Sequence, residues 1–436
     1  MSYEVKIPAL KPYSRSVSIV GVGATPFMLS KDDPELNGIF EGELLGYAAM
    51  EAMKDANMTA KDIDFFVHAQ AGPGWQSNFG TPAMHVSHWV GMKGKGNAHH
   101  SEACATGYVS LEQAVSYVAS GAYDVVLAGN CDMSYSIAGP SSPSFQRRYG
   151  TDAIFFETLC SVHQRDYTLF WHCSNELGQE AWLDQYFKEN GLTPEQIEDF
   201  MVKLAYHSRR AAAIHPLSLK YGESYDDLAK MFKLKDAEEF LRSKKFNPVL
   251  SCRYTRAANM ELRCDGAAAF IVCPTEIAHK YTDKPIEVLA IGHSCIDLDQ
   301  PQLERYATEA AYNQVKELTG LTGADMDLFM TNDFFHTSQL LSAEACEYLP
   351  KGEGWKYITE GRAAYDGDRP INPNGGRCHF GHAHGTSGVM DHYEAVKQMR
   401  GEAGPTQVKH PVKYAMLRGF GGGQNVTCAI LKNSAL

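Results

Sequence analysis

The stretches MTAKDIDFF (Met58–Phe66) and LTGADMDLF (Leu321–Phe329) align without a gap, sharing the threonine, both aspartates and the apolar ending. Each reads as a turn running into a buried strand. The match extends outward in both directions. Upstream, SVSIVGV (Ser16–Val22) is answered by PIEVLAIG (Pro285–Gly292), and ELLGYAAMEAMKDA (Glu43–Ala56) by ATEAAYNQVKELTG (Ala307–Gly320). Downstream, a short strand is expected near Asn97–Ala103. There ATGYVSLEQAVSYV (Ala105–Val118) is answered by GTSGVMDHYEAVKQM (Gly385–Met399), and YDVVLAGN (Tyr123–Asn130) by VKYAMLRGFGGG (Val412–Gly423). A repeat of this length predicts two similar α/β halves related by a pseudo-twofold. Strands alternating with helices predict mainly parallel sheets covered by helices.

The halves are expected at 1–150 and 282–436. Between them lies an insertion, 151–264, followed by a strand at 265–272 that returns to the first half. The insertion contains a helical pattern at Pro194–Ala213 and an aromatic cluster of Phe155, Phe156, Tyr167, Phe170 and Trp171. Loops this long carry function or form their own subdomain.

With 436 residues, 44% of them hydrophobic, the chain can bury a large core. The net charge of −12 argues against general nucleic-acid binding. A local basic patch for an anionic ligand remains open, with Arg209, Arg210, Lys220, Arg253 and Arg256 as candidates and solvated surface charge as the alternative. The N-terminal residues lack an apolar signal core, and no apolar run reaches membrane-spanning length. The eleven cysteines are scattered and read as free thiols, so a cytoplasmic location is expected.

Chemistry concentrates in four places. Cys104, in HHSEACATGYVSLEQA, sits between a short strand and a helix, followed by small residues that allow a tight turn. A thiol at a helix N-terminus meets free N–H groups and the positive end of the dipole, which favour the thiolate. The same N–H groups can hold an oxyanion on a carbonyl bonded to that sulfur. An inert buried cysteine is the equal alternative on this segment alone.

Asn374–Gly388, NGGRCHFGHAHGTSG, is a glycine-rich loop that the pseudo-twofold places opposite Cys104. A histidine there can take and return the thiol proton. Metal ligation by His379, His382 and His384 is the rival, weakened by the lack of any CxxC or familiar ligand spacing. No metal is expected. Asn332, in TNDFFH, follows the repeated strand and offers an amide for an oxyanion, or caps a turn. GFGGGQN (Gly419–Asn425) is either a turn or a place where backbone amides approach a thioester.

Taken in order, EACATGYVSLEQA, NDFF, GGRCHFGHAHGTSG and GFGGGQN resemble the motifs of the thiolase superfamily, over about Ser16–Ile430. The resemblance implies a duplicated, five-layered αβαβα fold with an inserted loop domain. It also implies a homodimer core, and an acyltransferase that cleaves a 3-ketoacyl-CoA with CoA through an acyl thioester. Coenzyme A is then a substrate, and no cofactor is bound covalently. The nucleophile role falls on Cys104, the activating histidine on His382 and the water-holding asparagine on Asn332. Gly421, Gly422 and Gly423, with Phe420 and Phe334, are carried over as substrate-binding.

Gly419 and Phe334 stand where relatives place a second cysteine, so the second proton donor is open; His336 and Cys378 are candidates, and His382 doing both jobs is the third option. These departures look closest to the sterol-carrier-like branch. Its members often pair with a small zinc-ribbon/OB-fold subunit, which would hold the only zinc in such a heterotetramer. The aromatic insertion reads as a site for an aromatic acyl group or as core packing, and within the branch the chain resembles thiolases acting on 2-benzoylsuccinyl-CoA, from anaerobic toluene breakdown. Aldolases of the branch, which act on 3-hydroxyacyl-CoA and lack the cysteine, and a non-catalytic acyl-CoA-binding scaffold are the rivals.

Overall fold

The computed structural model describes residues 9–71, 82–138, 171–250, 253–295, 303–421 and 425–436. The first half supplies β1 (Val17–Ala24), β2 (Phe65–Ala69), β3 (Gly96–His100) and β4 (Val126–Met133), with helices α1 (Glu41–Asp55) and α2 (Thr106–Ala119). The insertion contributes α3 (Pro194–Ile214) and leads into β5 (Asp265–Pro274). The second half supplies β6 (Ile286–Cys295), β7 (Leu328–Thr331), β8 (Tyr414–Gly421) and β9 (Asn425–Asn433), with α4 (Leu303–Thr319) and α5 (Thr386–Arg400).

The strand order is β3-β2-β4-β5-β1-β6-β9-β8-β7. An isolated parallel bridge from Phe329 to Ile371 continues the row beyond β7. Read outward from the β1–β6 seam, the two halves therefore have the same order. The seam itself is short: Val17, Ser18 and Ile19 pair with Val288, Glu287 and Ile286. Among the named strands, parallel pairing is confined to β3-β2-β4 and β7-β8. The expectation of mainly parallel sheets is thus corrected to a mixed sheet. The reason is local: β8 turns directly into β9, and β5 enters from the insertion, so neither makes the helical crossover that parallel strands need.

Local detail repeats with the order. Thr59 and Asp62 form a reciprocal capping box ahead of β2, and Thr322 and Asp325 form the same box ahead of β7. β1 carries a bulge between Ile19 and Gly21 against β5, and β6 carries one between Val288 and Ala290 against β9.

Three apolar layers hold the fold. One joins α2 and α5 to the inward faces of both halves, through residues such as Leu111, Val115, Val396, Phe270 and Leu417. A second packs α1 on the outer face of the first half, and a third packs α4 on that of the second. This gives helix, sheet, helices, sheet, helix, the αβαβα stacking. No helix among the described residues is long and apolar enough to cross a membrane.

Close backbone approach is required where strands meet the outer helices. A Cβ on Gly23 would overlap the carbonyl oxygen of Ala48 in α1, and one on Gly292 would overlap that of Ala311 in α4. Backbone cannot rotate away as a side chain can. We expect Gly292→Ala to lower stability by about 1–3 kcal/mol in urea unfolding, with Gly23→Ala similar. No change in either would contradict this packing.

Candidate active site

The N-termini of α2 and α5 meet at the centre of the molecule. A Cβ on Gly107 would overlap the backbone of Gly385 and of Val389, and one on Gly388 would come 2.8 Å from the Tyr108 ring. Below this contact lies a buried ionic cluster. Arg377 Nη1 donates to Asp391 Oδ1 at 2.6 Å, and its Nη2 donates to the Tyr108 hydroxyl at 3.0 Å. The Tyr108 hydroxyl in turn donates to Asp391. Asp132, from β4, accepts the N–H of Thr386 at 2.9 Å at the start of α5, and the N–H of Ala71 at 3.1 Å.

Cys104 lies in the turn before α2. Ala103 takes a φ of +47°, a left-handed conformation that is unfavourable for a residue with a Cβ. The turn is held by hydrogen bonds: Glu102 N–H donates to Thr106 Oγ1 at 2.8 Å, and the Thr106 hydroxyl donates to Ala103 O at 2.6 Å. Gly421, at the end of β8, is pressed against this turn. A Cβ there would lie 2.6 Å from Ala105 N. Gly422 and Gly423 lie outside the described residues.

The helix-terminus expectation of a favoured thiolate is corrected here. Burial pushes the Cys104 thiol up to about 12, reinforced by Glu261 and Asp132 and opposed by Arg377 and Arg263. The thiol is therefore protonated at neutral pH and needs a base. Among the described residues it makes no hydrogen bond.

His382 is fully buried and clamped through its backbone: its N–H donates to Leu262 O at 2.7 Å, and its carbonyl accepts from Cys264 N–H at 3.2 Å. Its Nδ1 lies 3.3 Å from Ser387 Oγ, which also accepts the Ala383 N–H at 3.0 Å. Burial, then Arg377 and Arg263, hold the imidazole well below its usual pKa, hence neutral. Cys104 and His382 thus feel the same two arginines. His384 stacks edge-on at 5.3 Å with a φ of +35°.

Glu261 was not legible as a site residue. Its Oε2 lies 3.1 Å from His382 Nε2, at an angle short of a hydrogen bond, and its Oε1 accepts from Arg263 Nε at 3.2 Å. The only sequence signal is an acidic residue just ahead of an apolar strand.

Asn332 reaches the site floor from the end of β7. Its Nδ2 donates to Phe420 O at 2.6 Å, and its Oδ1 accepts the Phe334 N–H at 3.3 Å. The other expected residues are placed differently. Cys378 is buried with its thiol donating to Asp333 O at 3.2 Å, and burial pushes its pKa far up. His336 turns toward the insertion: its Nε2 meets Ser208 Oγ of α3 at 2.8 Å, its ring stacks on His379, and burial pushes it down to about 3. Phe420 and Phe334 stack on each other at 5.7 Å within the outer apolar layer. Strand alternation puts Phe420 on the same face as Met416, so its ring serves the core and only its carbonyl faces Asn332.

The five candidate basic residues are each engaged in an ion pair. Arg209 and Lys220 pair with Glu223, Arg210 with Asp366, Arg253 with Asp184 and Arg256 with Glu198. Among the described residues, no group of three His, Cys, Asp or Glu is arranged to hold a metal ion.

The sheet order and its helical layers form a thiolase-like α/β fold. Residues 293–433 match the family described as thiolase C-terminal domain-like. It is 28% identical to benzoylsuccinyl-CoA thiolase subunit BbsB of Thauera aromatica, over 94% of this chain and 95% of that one. It is 26% identical to acetyl-CoA acetyltransferase of Methanothermobacter thermautotrophicus, over 94% and 97%. It is 28% identical to human sterol carrier protein 2, over 96% of this chain and 72% of that one. Among solved structures, the Ltp2-ChsH2(DUF35) aldolase superposes with a TM-score of 0.71 at 20% identity, covering 96% and 98%. Human mitochondrial 3-ketoacyl-CoA thiolase gives 0.67 at 17%, covering 97% and 100%.

Two outcomes follow. Arg377→Met strands Asp391 in the interior and is expected to cost about 3–5 kcal/mol in urea unfolding. Alkylation of Cys104 by iodoacetamide, mapped by peptide mass, is expected to rise about tenfold per pH unit to pH 10. A plateau near pH 7 would contradict the protonated thiol.

Proposed function

We propose that this protein is a thiolase that cleaves a 3-ketoacyl-CoA with CoA through an acyl thioester on Cys104. The observation that supports the reading is that Gly421 presses on the Cys104 turn, Asn332 bonds the neighbouring Phe420 carbonyl, and Cys104 and His382 both feel Arg377 and Arg263. His382 is neutral, so it can accept a proton, and Ser387 can receive an Nδ1–H that turns the Nε2 lone pair into the site. In the proposed reaction His382 takes the Cys104 proton, and the thiolate attacks the ketone carbon. The carbon–carbon bond breaks, leaving acyl-Cys104 and the enolate of the shorter acyl-CoA, held by Asn332 and His382. Backbone amides of Cys104 and of the Gly421–Gly423 segment hold the oxygen of the thioester adduct, and free CoA then releases the acyl group. Dividing the reaction through a covalent adduct lowers each barrier.

The similarity to BbsB favours 2-benzoylsuccinyl-CoA, giving benzoyl-CoA and succinyl-CoA, and the sterol-carrier-like branch. The insertion, 151–264, would serve as the loop domain. CoA as substrate is supported by a human 3-ketoacyl-CoA thiolase solved with CoA, TM-score 0.64. A small zinc-ribbon/OB-fold partner is supported by the DUF35 component of the superposed aldolase. That same superposition favours a second reading, a retro-aldol lyase acting without a thioester.

Mass spectrometry of the intact chain after mixing with candidate 3-ketoacyl-CoAs separates the readings. An acyl adduct on Cys104, with Cys104→Ala lowering cleavage by about 10³-fold or more, is the expected result. Full cleavage by Cys104→Ala would sink the thiolase reading in favour of the lyase.

A further inference from the structure

We infer that Glu261 is the second acid/base of the site, coupled to His382, and supplies the proton to the departing carbon. This deepens, and rests on, the thioester reading above. Gly419 offers no acid where the resembled motifs carry a second cysteine, so protonation of the enolate falls to another group or to His382 a second time. The two candidates expected from sequence are already committed: Cys378 donates to the Asp333 carbonyl, and His336 is bonded to Ser208 on the insertion side. Glu261 is placed differently.

Its segment runs between the two site loops. Met260 bridges to Phe335 beyond the NDFF turn, and Arg263 bridges to His382. The carboxylate is 15% exposed, whereas His382 beside it is fully buried, so Glu261 is the member of the pair that solvent reaches. Glu261 Oε2 and His382 Nε2 stand 3.1 Å apart. At that separation a proton that the Nε2 lone pair accepts from Cys104 lies beside the carboxylate, which can stabilise it and receive it. The pair can then hold that proton as one unit. Arg263, donating to the other oxygen at 3.2 Å, fixes the carboxylate's orientation.

The step balances without any external reagent. The Cys104 S–H bond breaks and its proton enters the pair at His382. A bond forms from sulfur to the ketone carbon. The carbon–carbon bond then breaks, its electrons passing to the α-carbon, and Glu261 delivers a proton to that carbon as the pair resets. In thiolysis the CoA thiol proton enters the pair and leaves to Cys104 as its thioester bond breaks.

The test separates thioester exchange, which needs Cys104 and His382, from α-carbon proton transfer, which needs Glu261. The full chain is given acetyl-CoA or succinyl-CoA with labelled free CoA in D2O. Label exchange into acyl-CoA reports the first process, and deuterium in the acyl α-position reports the second. Glu261→Gln is expected to lower deuterium uptake about 100-fold or more, at least about tenfold further than it lowers label exchange. Glu261→Asp, which retains a carboxylate, is expected to recover part of the uptake with a shifted pH profile, and it serves if Glu261→Gln does not fold. Equal loss of both processes in a folded variant, or loss of neither, overturns the assignment. A wild-type chain that shows neither exchange nor adduct overturns the thioester reading, and the assignment with it.

Discussion

The contact between the N-termini of α2 and α5 governs the rest of the molecule. Gly107, Gly385 and Gly388 let two helices from different halves approach backbone to backbone. That approach brings Cys104 and the His382 loop together, and it seals Arg377, Asp391 and Tyr108 beneath them. A buried ion pair contributes little net stability, but either member alone is very costly in the interior. The cluster therefore fixes the register of the halves more than it strengthens the fold. The short β1–β6 seam could not do this, since it pairs few residues.

The site is built from unequal contributions of two equivalent units. The first half presents the thiol on the turn before its central helix, and the second presents the histidine ahead of the corresponding helix. Asn332 comes from the strand that follows the repeated capping box, and Gly421 from the strand that pairs beside it. The insertion closes the outer side through α3, where Ser208 engages His336. Each half alone holds only part of the chemistry, although both carry the same bulge and the same capping box.

The duplicated fold was legible because repetition constrains many residues at once. Thr59 and Asp62 read as a turn, and recurrence at Thr322 and Asp325 made the turn part of a unit. Strand direction was less legible: the pattern of strands and helices does not reveal that β5 arrives through the insertion. At the site, glycines and the turn around Cys104 were readable because their spacing is local. The fates of Phe420, Cys378 and His336 were not, because they depend on which face of a strand or loop meets a distant element. Glu261 was least legible of all. Its partners, His382 and Cys104, are distant in sequence, and nothing in MELRC sets it apart from an ordinary surface acid. The ionisation of Cys104 followed the same rule: helix position alone favoured the thiolate, and burial outweighed it.

The left-handed Ala103 carries a further meaning. Because the backbone of that turn, pinned by Thr106 and pressed by Gly421, aims the sulfur, its direction does not rely on any hydrogen bond made by the thiol itself. Aim and ionisation are thereby uncoupled. A buried, protonated thiol resists chance oxidation while the backbone has already set its direction. The turn thus keeps its geometry without keeping a reactive anion.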